Sequence, residues 1–244
     1  EIAQCLVGSE MCIRDSRWFS QASAAAYLLS VAAIVLVKEL FGGIGGNFMN
    51  PALTARAILM ISWPVAMTSY TLPVYSLMPG VDAVSSATVL GGLEATPMAM
   101  FLGMIPGAIG EVSKVAILVG LVYMLLRKVI SWHIPVIYVG SFALLSWILG
   151  NDVLSALLSG GILFGAVFMA PDYTTSPMTK KGQAVYAIGC GVMTCIIRNF
   201  GSYPEGVTFA ILLMNLLVPY IEVLTRQDLL GISKPKKNKG GAAK

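Results

Sequence analysis

Charge is what this sequence has least of. Of its 244 residues only 11% are charged, 16 Lys and Arg against 12 Asp and Glu, while 57% are hydrophobic. A soluble domain carries about 25% charged residues, so a soluble globular fold is excluded. The single histidine, His133, stands beside Trp132 and reads as an interfacial residue rather than a ligand. The four cysteines form no CxxC pair. Cys5 and Cys12 fall in an unusual N-terminal stretch, and Cys190 and Cys195 are five apart in an apolar segment, which keeps them off a common helix face. No metal site is expected within the chain, and iron–sulfur ligation stays open only as a cluster shared with another subunit. No nucleic-acid partner is expected.

Residues 1–16, EIAQCLVGSEMCIRDS, lack the basic start, apolar middle and small-residue cleavage site of a signal peptide. The stretch SEMCIRDS resembles a translated sequencing-library adapter. Residues 1–16 are therefore expected to be non-native, with natural sequence and further helices missing before residue 17. Residues 17–231 are expected to form one transmembrane domain, and 232–244 a basic cytoplasmic tail.

Long apolar runs are what the sequence does have. A spanning helix needs about 20 apolar residues. Candidate spans are Ala22–Leu40, Ala52–Met67, Lys114–Leu126, Ile134–Leu149, Val153–Ala170, Gln183–Ile197 and Val207–Leu224. Pro97 to Gly110 is apolar but short and interrupted by Gly and Pro, which predicts a re-entrant or discontinuous segment. The fold expected is an all-α integral membrane protein, a polytopic bundle of about seven spans plus this broken segment. If the spans alternate, Lys38, Arg56, Arg127, Lys128, Lys180, Lys181 and the tail Lys234, Lys236, Lys237, Lys239 share one side, which is then cytoplasmic. The loop Thr68–Thr96 falls outside. The tail reads as a solvated or lipid-facing segment.

Ionisable groups near apolar segments carry a default functional reading. Glu111, Asp172, Arg198 and Glu205 are the candidates for an ion path, weighed evenly against solvated interfacial positions. Asn215, mid-helix, reads as a helix–helix hydrogen bond. The loop also holds Asp82, Ser85, Ser86, Ala87 and Thr88 in the order VDAVSSAT, a reachable hydroxyl among small neighbours.

That octapeptide resembles the recognition motif of flavin transferases, which join FMN to a threonine hydroxyl through a phosphoester. Beside it stand FGGIGGNFMNPAL (Phe41 to Leu53), PGAIGEVS (Pro106 to Ser113), SGG (Ser159 to Gly161), FMAPD (Phe168 to Asp172) with Ser176-Pro177, and RNFGSYPEG (Arg198 to Gly206) leading to Leu213-Met214-Asn215. Taken in order from about Val37 to Leu230, these resemble the D subunits of Rnf ion-translocating electron transport complexes. The B subunits of sodium-pumping NADH:quinone reductases are the related group. The resemblance implies covalent FMN at Thr88, with room for a second flavin such as riboflavin. It also implies electron relay between ferredoxin and NAD coupled to Na+ or H+ movement, with Rnf subunits, a flavin transferase and membrane lipids as partners. Such a subunit is not catalytic alone and sits in the cytoplasmic (inner) membrane of a bacterium or archaeon. Two departures stand out: Ser86 where the family often has Gly, and Pro171 where it often has Thr. The rival reading is a cofactor-free channel or secondary transporter, for which the single Asn50-Pro51-Ala52 triplet is the best argument.

Overall fold

The computed structural model describes residues 30–31, 33–39, 47, 49–62, 64, 70–71, 85–86, 88–93, 95–201 and 206–225. Residues 1–16, the glycines at 42, 43, 45 and 46, Asp82, Ala87, Glu205 and the basic tail lie outside the described residues.

The described chain is helical almost throughout. A π-helical segment, Ala33–Glu39, precedes α1 (Pro51–Ser62), α2 (Pro97–Leu102), α3 (Ile109–Val112), α4 (Lys114–Leu126), α5 (His133–Ile148), α6 (Val153–Leu158) and α7 (Ile162–Phe164). A second π-helical segment, Gly165–Met169, continues α7, and α8 (Lys180–Phe200) and α9 (Val207–Thr225) follow. One departure from the purely helical expectation is a two-residue antiparallel ladder, β1 (Tyr70–Thr71) with β2 (Ser85–Ser86), Tyr70 opposite Ser86. Ser and Thr compete with helical backbone bonds, so this loop pairs as short extended pieces.

Helix starts follow from local chemistry. Asn50 caps α1, its amide oxygen accepting from Ala52 N at 3.0 Å and Leu53 N at 3.3 Å, with Pro51 in the first helical position. Thr96, Ser113, Asp152 and Thr179 do the same for α2, α4, α6 and α8. The Ser155 hydroxyl and the helix amides beside it hold the exposed Asp152 carboxyl below its usual range. Thr179 also explains why α8 begins at Lys180, inside what reads in sequence as a polar turn.

The core lies where α5, α8 and α9 meet the interrupted α6–α7 segment. Tyr138 and Phe142 from α5, Tyr186 and Cys190 from α8, Ile211 from α9 and Ile162 from α7 are fully buried. Two hydroxyl pairs cross this core: Tyr138 Oη with Thr194 Oγ1, and Tyr186 Oη donating to Asn215 Oδ1, both at 2.7 Å. In an apolar interior each satisfies groups that would otherwise be stranded. Asn215 therefore serves the helix–helix role expected of it. At the tightest crossing a Cβ on Gly191 would lie 3.0 Å from the backbone nitrogen of Phe142 and collide with the Ser141 hydroxyl.

Among the described residues α9 alone is both long and apolar enough to cross a membrane, while α1, α4 and α5 are shorter apolar helices. The expected break between 97 and 110 is present: Gly103 ends α2 in the left-handed region at φ 90°, and α3 resumes at Ile109. The expected uninterrupted span Val153–Ala170 is not. It breaks at Ser159–Gly161, where Gly160 takes φ +60°, a conformation open to glycine at little cost.

Gly191→Leu should overpack the α5–α8 crossing and lower stability by about 1–3 kcal/mol, read as an earlier thermal transition in detergent. Ile188→Leu, on the exposed side of α8, should leave the transition in place.

Candidate functional site

The break in the α6–α7 segment exposes carbonyls that a continuous helix would have bonded. Two cations fill that need. Arg198, in the last turn of α8, donates to the carbonyls of Ala156 at 3.0 Å and Ser159 at 3.2 Å. Its guanidinium also lies 5.4 Å from the centre of the Phe142 ring, within cation–π range. Lys114, 1% exposed at the start of α4, donates to the carbonyls of Gly160 at 2.9 Å and Glu111 at 2.5 Å. Both side chains thus act on the C-terminal end of α6, where positive charge is favoured.

A third cation completes the cluster. Arg56 of α1 pairs with Glu111 of α3 at 2.7 Å, with the two side chains 18% and 7% exposed. The alternating-span scheme puts Arg56 among the cytoplasmic flanking charges, and Glu111 reads only as an ionisable group near an apolar segment. The structure joins them, because the 103–111 segment turns back into the bundle, with Gly103, Ile105, Pro106, Ala108 and Glu111 buried and Met104 left exposed. Arg56, Glu111, Gly161, Met169, Val207 and Thr208 surround a cavity of about 10 Å³, room for a single water.

The turn that bears Thr88 packs on the same break. Thr88 precedes a 3₁₀ turn, Val89–Gly91, with extended backbone and no capping bond from its side chain. The residue is half-buried. Val89 packs against the cluster formed by Met100, Ile105 and Leu158. Leu90 reaches the Gly160 backbone, where its Cδ1 lies 2.7 Å from the position a Cβ would take. Ser85 and Ser86 are held by the β1–β2 ladder, and Asp82 and Ala87 lie outside the described residues.

Asp172 forms a separate cluster. One carboxylate oxygen accepts from the hydroxyls of Thr174 and Thr175, both at 3.2 Å, and from the Asn50 amide at 3.4 Å. The structure thus brings Glu111 and Arg198 together around one break and sets Asp172 apart, while Glu205 is outside the described residues. The Asn50-Pro51-Ala52 triplet is a helix cap tied to Asp172. Sequence reasoning missed Arg56, read as a flank charge, and Lys114, read as the first residue of a span. The available signal was a lone cation inside or against an apolar run.

An apolar bundle with two interrupted helical segments, and with buried ionisable groups gathered at the interruptions, defines a narrow class of helical protein. The model of the NQR2, RnfD, RnfE family matches residues 22–231, and the chain belongs to that family. It is 46% identical over 217 residues, 85% of this chain and 67% of the relative, to the D subunit of the Na(+)-translocating ferredoxin:NAD(+) oxidoreductase complex of Acetobacterium woodii. It is 42% identical over 224 residues, 83% of this chain and 67% of the relative, to the D subunit of the proton-translocating ferredoxin:NAD(+) oxidoreductase complex of Clostridium ljungdahlii. A third relative, 36% identical over 83% of this chain and 68% of its own length, is the D subunit of the ion-translocating oxidoreductase complex of Stutzerimonas stutzeri.

Arg198→Met should strand the Ser159 carbonyl, at about 1–3 kcal/mol for a buried unsatisfied group, and leave the Ala156 carbonyl with the Ser159 hydroxyl alone. The expected result is a clearly lowered thermal midpoint, whereas Arg198→Lys, which can still donate to one of the two carbonyls, should recover part of it.

Proposed function

We propose that the chain is a multi-pass subunit of an ion-translocating ferredoxin:NAD+ oxidoreductase complex, seated in the cytoplasmic membrane and carrying FMN as a phosphoester on Thr88. The observation that carries the complex assignment is its similarity to D subunits over more than four-fifths of the chain. Seven spans, with the basic segments on the cytoplasmic side, are part of the same reading. One relative is named for Na+ and another for protons, so both ions stay in the proposal.

For the flavin, the local chemistry fits. The hydroxyl to be esterified must be reachable, and the Thr88 side chain makes no capping bond on a half-buried turn. Ser85, Ser86 and Ala87 before it are small, which lets an enzyme dock the loop. FMN, when bound, supplies one- and two-electron carriage. The chain's own residues fix the turn: Val89 packs on the cluster that includes Met100 and Leu158, and Leu90 seats it against Gly160. Glu111 and Arg56 border the small cavity behind the break, which supports a place for them on the ion route. A second, non-covalent flavin such as riboflavin belongs to the same proposal.

The competing reading, a cofactor-free transporter, draws support from the interrupted helices, which such proteins also use. Co-expression with a flavin transferase separates the two. The flavin reading predicts a fluorescent band that survives denaturation and an intact mass raised by FMN minus water, both absent in Thr88→Val. A membrane-inserted protein that stays dark beside an active transferase would sink it. Acid extraction that releases additional flavin would report the non-covalent one.

A further inference from the structure

The two glycines of the break face different partners. A Cβ on Gly160 would meet Leu90 Cδ1 at 2.7 Å and the Arg198 guanidinium at 2.8 Å. A Cβ on Gly161 would meet the Glu111 carboxyl carbon at 2.7 Å and its two oxygens at 2.8 and 2.9 Å. One peptide unit therefore separates the turn that bears Thr88 from the carboxylate paired with Arg56. The backbone itself is the wall, with the turn on one side and the ion pair on the other.

The carbonyl of that peptide and the one before it are also tied to the cations. Arg198 holds Ser159 O, and Lys114 holds Gly160 O together with Glu111 O. A shift of residues 159–161 thus moves Lys114 and the α3 backbone that carries Glu111. We propose that Gly160 and Gly161 are positioning residues that transmit the seating of the Val89–Leu90 turn to the Arg56–Glu111 ion pair. The functional meaning of that link rests on Thr88 as the flavin carrier: a turn displaced by a change of charge at its threonine would loosen the carboxylate beside the small cavity. Packed elements carry such coupling when they have two discrete arrangements. A side chain at either position would displace the ends of the partners that face it, and at Gly160 the φ of +60° disfavours any other residue.

The test reads Glu111 directly, in the full-length subunit within its membrane complex. A hydrophobic carbodiimide reacts with a protonated, accessible carboxyl, and peptide mass analysis quantifies labelling at position 111. Wild type should be protected by the ion pair, and Arg56→Gln should label strongly as the positive control. Gly161→Ala should raise labelling, because its methyl displaces the carboxylate. The decisive variant is Leu90→Ala, which acts on the turn side alone, while Gly160→Ala presses on both Leu90 and the Arg198 guanidinium; both should raise labelling several-fold with the complex still assembled. If Gly160→Ala fails to assemble, Leu90→Ala and the bulkier Leu90→Trp carry the comparison. Strong labelling in Arg56→Gln and Gly161→Ala with wild-type protection in the turn-side variants would overturn the link. Covalent flavin is scored separately by in-gel fluorescence. A dark wild type would remove the flavin reading, while the labelling result would still decide whether the turn and the ion pair are connected.

Discussion

A backbone carbonyl that leaves a helix inside an apolar bundle must find a donor within the protein, since bulk water is not there to supply one. That requirement organises this structure. Lys114 and Arg198 reach the broken end of α6 from two different helices and bond the carbonyls of Ala156, Ser159 and Gly160. Each is thereby fixed, and each fixes its own helix. Lys114 ties the start of α4 to the break, and Arg198 ties the end of α8 to it. The Arg56–Glu111 pair then joins α1 to the same place.

The cluster has a cost that explains its location. Cations and carboxylates away from water are tolerated where they are paired and hydrogen-bonded. Glycines at 160 and 161 bring the charged ends close enough for that, at the expense of helix continuity. The broken segment is thus both the cause of the unsatisfied carbonyls and the space in which the compensating groups fit. The turn that follows Thr88 rests on this point through Val89 and Leu90. In the proposed flavoprotein it sets the redox-bearing residue and the buried ion pair on opposite sides of one peptide.

Much of the helical order was legible in sequence because apolar runs and breakers are local. The exact starts were not: Thr96, Ser113, Asp152 and Thr179 set them by short-range capping bonds, and Thr179 opens α8 within what reads as a polar turn. The Gly- and Pro-broken stretch at 97–110 marked its own interruption. The break at Ser159–Gly161 did not, because Leu157-Leu158 and Ile162-Leu163 on either side preserve an unbroken apolar run. The ion pair was hidden for a different reason. Arg56 and Glu111 are 55 residues apart, and nothing in either local pattern specifies the other. A rule that assigns charges to membrane sides by alternation has no place for two charges that meet inside the bundle.

Arg56 and Glu111 hold each other at the helix break, and a double-mutant cycle on the two reads that dependence. Thermal stability of Arg56→Gln, Glu111→Gln and the double variant would be measured in lipid nanodiscs. The expectation is that each single change is destabilising, by less than the roughly 3–5 kcal/mol of a fully buried broken pair because Arg56 is 18% exposed, and that the double variant loses much less than the sum. Additive losses would contradict it, since they would mean that Arg56 and Glu111 do not depend on each other.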